Sequence, residues 1–263
     1  MRIEHKNCLQ TYLGDWLMAM DVKARAEGKP SSGLTVTQPV QSLMRHELNL
    51  CLMLELFDEC LTRFERSLNG EKADCDYGAY SETICFLDAI YFFSRMLLDS
   101  AVGIVKHRDL DKSEKGREFP KSFDNMYKNS VKGELPNNLN KVFLECKTWF
   151  PQLVDRRDDI VHHYETYFIG FGQNFTAMQF SPRKKTPEIK DLRSYIGMAM
   201  AGYQRFIDGL LDYWDEMFVS WYGIIRSVNS RTLTIFEGRR ANILWWAYRY
   251  GEYRNDNMVV SES

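Results

Sequence analysis

Ser81-Glu-Thr-Ile-Cys-Phe-Leu-Asp-Ala-Ile-Tyr-Phe-Phe-Ser-Arg-Met-Leu-Leu-Asp-Ser-Ala-Val-Gly-Ile-Val-Lys106 decides the fold class. Its apolar residues (Ile84, Phe86, Leu87, Ile90, Tyr91, Phe92, Phe93, Met96, Leu97 and Leu98) do not keep to one side. A helix that is apolar all round belongs at the centre of a bundle, because every side must be covered. The stretch predicts a central helix over residues 81–106, surrounded by other helices.

The segments before it fit that role. Residues 7–26 read as an amphipathic helix, with Leu9, Leu13, Trp16, Leu17 and Met20 spaced by threes and fours, and Gly28-Lys-Pro-Ser-Ser-Gly33 breaks it. A longer helix is expected over residues 39–68, opened by Pro39 and ended by Asn69-Gly70. Leu48, Leu52, Leu56, Cys60 and Phe64 step by four along it as its apolar row.

After the central helix, residues 107–133 are polar and lysine-rich and read as a long connection. Pro136-Asn-Asn opens a fourth helix, carrying Leu139, Val142, Phe143, Cys146, Trp149, Phe150 and Leu153. Pro151 is expected to kink or break it, which puts the residues beyond on a short helix of their own. Tyr167-Phe-Ile-Gly-Phe171 and Phe175-Thr-Ala-Met-Gln-Phe180 flank Gly172 and Asn174 and predict a β-hairpin. Pro182 and Pro187 bracket a basic loop, and the last long helix covers residues 188–227. Leu244-Trp-Trp-Ala-Tyr-Arg-Tyr250 reads as a terminal helix that docks on the bundle or on a second subunit. The final residues are expected to fray.

The fold expected is mostly α, an antiparallel helical bundle with a β-hairpin inserted near residues 165–181. Residues 1–37 form an N-terminal helix and linker, 38–228 the main helical domain, and 229–263 an aromatic and basic tail.

The 263 residues are 44% hydrophobic and 27% charged, as in a soluble globular protein. A net charge of -2 gives no global field toward nucleic acid or an anionic membrane, so any RNA site must be a local patch. Arg183, Lys184 and Lys185 read either as solvated surface or as such a patch. No apolar run is long enough to span a bilayer, and the opening segment lacks the apolar core of a signal peptide. None of the six cysteines forms a CxxC pair. A reducing, cytoplasmic setting is expected. There is no P-loop, GxGxxG or GxSxG, which removes support for the enzymes those motifs mark.

Chemistry concentrates in Arg157-Asp-Asp-Ile-Val-His162-His163. Arginine holds phosphate in a fixed fork, and histidine moves protons near neutral pH. Asp158 and His162 are four apart and share a helical face, as do Asp159 and His163. Arg157 and His162 are five apart, so a regular helix points them about 140° from one another. A solvated helix end explains the same residues. Asp159 and His163 alone are too few ligands for a metal, and neither metal nor cofactor is expected. Arg95 and Asp99 read as an intrahelical ion pair or as polar groups facing this stretch.

Arg157-Asp158 followed by Val161-His162 resembles the motif of HEPN-domain proteins: an arginine, a polar residue, and a histidine after four to six intervening residues. The resemblance covers roughly residues 40–225. It implies an all-α bundle and a metal-independent endoribonuclease that leaves 2′,3′-cyclic phosphate ends. It further implies that Arg157 binds the scissile phosphate, His162 acts as general acid or base, and Asp158 orients them. Arg156 and His163 stand as the alternative register. The family also implies a homodimer with a composite site, a toxin or antiviral role, and an antitoxin or regulatory partner. Its other implication is a non-catalytic protein that binds nucleotide, RNA or protein.

Overall fold

The apolar rows of the long helices dictate how they pair. A computed structural model describes residues 3–4, 28, 33–69, 75–108, 122–163, 168–171, 177–180, 189–222, 233–236, 243–254 and 258–261. The helix expected over residues 7–26 and the basic loop with Arg183, Lys184 and Lys185 lie outside them. In chain order the elements are β1 (Ile3–Glu4), α1 (Gly33–Leu68), α2 (Tyr77–Arg108), α3 (Phe123–Val131) and α4 (Asn137–Leu144). A 3₁₀ turn (Glu145–Thr148) leads into α5 (Phe150–His163), β2 (Phe168–Phe171), β3 (Ala177–Phe180) and α6 (Leu192–Tyr222). β4 (Leu233–Phe236), α7 (Ile243–Tyr250) and β5 (Met258–Ser261) complete the order.

The chain is mostly α, with the expected hairpin in place. α1 and α2 run antiparallel: Phe64 meets Tyr80, Cys60 Sγ donates to Glu82, and His46 lies beside Phe93. α2 is the central helix, with Leu87, Ile90, Tyr91, Leu97, Leu98, Ala101 and Val102 all buried. α6 closes the bundle through Arg193, which donates to Asp58 Oδ1 at 3.2 Å and to both carboxylate oxygens of Glu65. α7 packs chiefly on α6 and reaches α1 where Trp246 meets Phe57.

The structure redraws the apolar row of α1. The buried row is Val40, Leu43, Leu50, Leu54, Phe57, Leu61 and Phe64, while Leu48 and Leu52 are 68% and 48% exposed. A row stepping by four gains about 40° per step, so from Leu48 to Phe64 it passes from the outside of the helix to the inside. Glu47 falls between Leu43 and Leu50 on the buried row, and burial pushes its carboxyl up to about 7. α1 also starts before Pro39, which costs the helix the one backbone donor a proline lacks.

Residues 107–133 are not all connection. Ser122 caps α3 by accepting from Asn125 N, and Phe123, Met126 and Ser130 bury one face. Asp99 on α2 accepts the Phe123 N–H at 2.8 Å and fixes where α3 begins. Pro151 breaks the fourth helix as expected: α4 ends at Leu144, and α5 restarts with Pro151 in its first turn. A proline is tolerated there because the first-turn N–H groups have no helical acceptor.

β2 and β3 pair antiparallel with Ile169 opposite Gln179. A second sheet was not anticipated. β4 pairs antiparallel with β1 and parallel with β5, so the backbone groups of residues 258–261 enter a ladder rather than fray.

Candidate functional site

α5 carries the Arg/His stretch, and its inward row sets which arginine faces what. Trp149, Phe150 and Leu153 are buried against the core, and Arg156 follows them inside at 4% exposed. Arg157 sits one residue further round, its side chain 25% exposed, with Nη1 2.7 Å from Asp158 Oδ1. Of the two register alternatives for the arginine, Arg157 is therefore the one at the surface.

Arg157 and Asp158 open into a cleft of about 510 Å³. α5 supplies Phe150, Pro151, Val154 and Asp155 as well. α2 supplies Arg95 and Asp99, so that ion pair, 3.1 Å between Nε and Oδ2, does face the Arg157 stretch. α3 supplies Asp124, Tyr127 and Lys128, from the stretch expected to be only a connection. The signal that α3 existed lay in Ser122 before Phe123 and Met126, a capping residue ahead of helical apolar spacing.

The cleft is mixed in charge. Among the described residues, three cations, Arg95, Lys128 and Arg157, face four carboxylates, Asp99, Asp124, Asp155 and Asp158. Each cation has a carboxylate within reach on its own helix, Lys128 with Asp124 at 2.7 Å completing the set. The floor is aromatic: Tyr127 packs edge-on to Phe150, and the Arg95 guanidinium lies 5.5 Å from the Phe150 ring centre. Asp155 holds its proton to higher pH than an ordinary aspartate, first because it is desolvated and then because Asp159 and Asp158 are near.

The backbone at positions 162 and 163 closes α5, while the side chains of His162 and His163 lie outside the described residues. On an unbroken helix, position 162 falls about 140° from Arg157 and about 7.5 Å along the axis. It shares a face instead with Asp155, Asp158 and Asp159, at spacings of seven, four and three. Among the described residues no group of three or more His, Cys, Asp or Glu could hold a metal ion. No described helix is long and apolar enough to cross a membrane. No family model, curated protein or solved structure matches the chain.

Proposed function

We propose that this chain is a metal-independent endoribonuclease of HEPN type, cleaving RNA to 2′,3′-cyclic phosphate ends. The observation that carries the reading is Arg157 at the mouth of a cleft, on the same short helix as His162. Arg157 takes the scissile phosphate and offsets the charge that builds on it. His162 exchanges a proton with the ribose 2′-hydroxyl or the leaving 5′-oxygen. Three aspartates on the face of position 162 raise the basicity of an imidazole there. Asp158 holds the Arg157 guanidinium in position through their 2.7 Å contact.

Arg157 and His162 diverge on a regular helix, so the arginine side chain or a second copy of α5 must close the gap. A homodimer with a composite site supplies the second route. A cytoplasmic protein with a toxin or antiviral role, held by an antitoxin or regulatory partner, fits such an activity.

One observation favours the second reading, a non-catalytic nucleotide-, RNA- or protein-binding regulator on the same scaffold. Among the described residues that line the cleft, carboxylates outnumber cations, and each of these cations has one beside it. Phosphate must then compete with fixed aspartates.

The test is cleavage of RNA by purified protein in excess chelator, with Arg157→Ala and His162→Ala alongside. The proposal expects cleavage by the wild type and a loss of at least about a hundredfold in each variant. Cleavage unchanged in both removes the mechanism. Binding of RNA or nucleotide without cleavage, weakened by Arg157→Ala, supports the regulator.

A further inference from the structure

The exposed face of α1 carries a second row with the same three-and-four spacing as its buried one. Gln41, Arg45, Leu48, Leu52, Glu55 and Glu59 are all exposed, and their spacings alternate four, three, four, three, four. That alternation keeps all six on one stripe of the helix, a seam along which a second helix can lie. The opposite row, from Val40 to Phe64, already packs into the core, so this seam is a second, outward one. At its centre stand Leu48 and Leu52, the two leucines left 68% and 48% exposed.

The order of side chains along this seam is self-complementary. Two copies of α1 laid antiparallel about a two-fold axis at residue 50 set Leu48 against the partner's Leu52. The same axis sets Arg45 against the partner's Glu55 and Gln41 against the partner's Glu59. Every pair occurs twice, as a two-fold interface requires. A parallel pair would instead stack Arg45 on its own copy, and likewise Glu55 and Glu59, so charge selects the antiparallel arrangement. Within the chain, Arg45, Glu55 and Glu59 make no ion pair among the described residues, which leaves them available for this.

We infer that the outer face of α1 is an interface for a second copy of this chain, paired antiparallel about residue 50. The inference does not depend on ribonuclease chemistry. Among the described residues α1 contributes nothing to the lining of the Arg157 cleft, so this pairing leaves that lining as it is in each copy. It is a different contact from one that joins two α5 helices.

Light scattering after size exclusion, over a dilution series, tests it. The wild type is expected at twice the single-chain mass, dissociating on dilution. R45E alone and E55R alone each place like charges across the seam and raise the dissociation constant by about tenfold or more. R45E and E55R together swap the pair and restore the dimer. Leu48→Glu with Leu52→Glu breaks this contact and halves the wild-type mass. These side chains lie on the outside, so far-ultraviolet circular dichroism should stay as in the wild type. Wild type monomeric at every concentration overturns the inference. So does a dimer indifferent to all four substitutions, or single swaps that dissociate without rescue by the double.

Discussion

Tyr91 on α2 donates its phenolic hydrogen to Gln179 Oε1 on β3 at 2.6 Å, and both side chains are buried. The Gln179 backbone meanwhile exchanges both its hydrogen bonds with Ile189, at 3.0 and 2.9 Å. One glutamine thus ties the hairpin to the central helix and to the strand-like residue that leads into α6. Tyr91→Phe leaves the Gln179 carbonyl oxygen buried without its donor, and is expected to cost about 1–2 kcal/mol. Gln179→Leu is expected to cost less in the Tyr91→Phe background than alone. A double-mutant cycle by urea unfolding checks the coupling, and additive losses would remove it.

Gly202 on α6 lets the chain before α5 lie close. A Cβ there would fall inside contact distance of the Trp149 indole, which is buried. Gly202→Ala must push Trp149 and the start of α5 away from α6, at an expected cost of about 1–3 kcal/mol. Gly197→Ala meets Tyr250 and the backbone of Gly251 in the same way, at the α6–α7 contact. Melting temperatures check both. Gly202→Ala is also expected to lower any activity of the Arg157 cleft, since Phe150 and Pro151 line it.

Glu47 makes stability depend on pH. Its carboxyl is raised from 4.5 to about 7 by burial, so between those values the folded chain holds a proton that the unfolded chain has released. Stability is full below pH 4.5 and is lost as pH rises through about 7. Asp88, raised to about 6 by burial, acts in the same direction. Glu47→Gln removes the larger contribution, and is expected to stabilise the protein at pH 8 by on the order of 1 kcal/mol. Chemical denaturation at pH 5 and pH 8 checks it: the variant's difference between the two should shrink relative to wild type.

Asp158→Asn probes the proposed chemistry without removing Arg157. The substitution keeps the side chain's size and removes the charge that holds the guanidinium at 2.7 Å. Under the ribonuclease proposal cleavage falls by about ten- to a hundredfold, because Arg157 loses its position. If the carboxylate only masks Arg157, RNA affinity rises instead, and titration of labelled RNA separates the outcomes.

Much of the architecture was legible from local pattern. The all-round apolar run of residues 81–106 required a central helix, and Pro151 required a restart just ahead of Arg157. The aromatic runs about Gly172 and Asn174 placed the hairpin strands within the range they occupy. Each follows from neighbours a few residues apart, where backbone sterics and periodicity act. α3 was missed because its apolar residues are few beside the lysines around it, and its start depends on Asp99, a residue of another helix.

The sequence by itself determined the central helix, the restart at Pro151, the hairpin and the Arg157–His162 spacing, because each depends on periodicity or geometry within one segment. Only the tertiary structure decided which row of α1 is core, since two rows both carry leucine and the burial of one exposes the other. It also decided that Arg95, Lys128 and Arg157 share one cleft with four aspartates. Those side chains come from three helices far apart in sequence, and packing rather than local pattern brings them together.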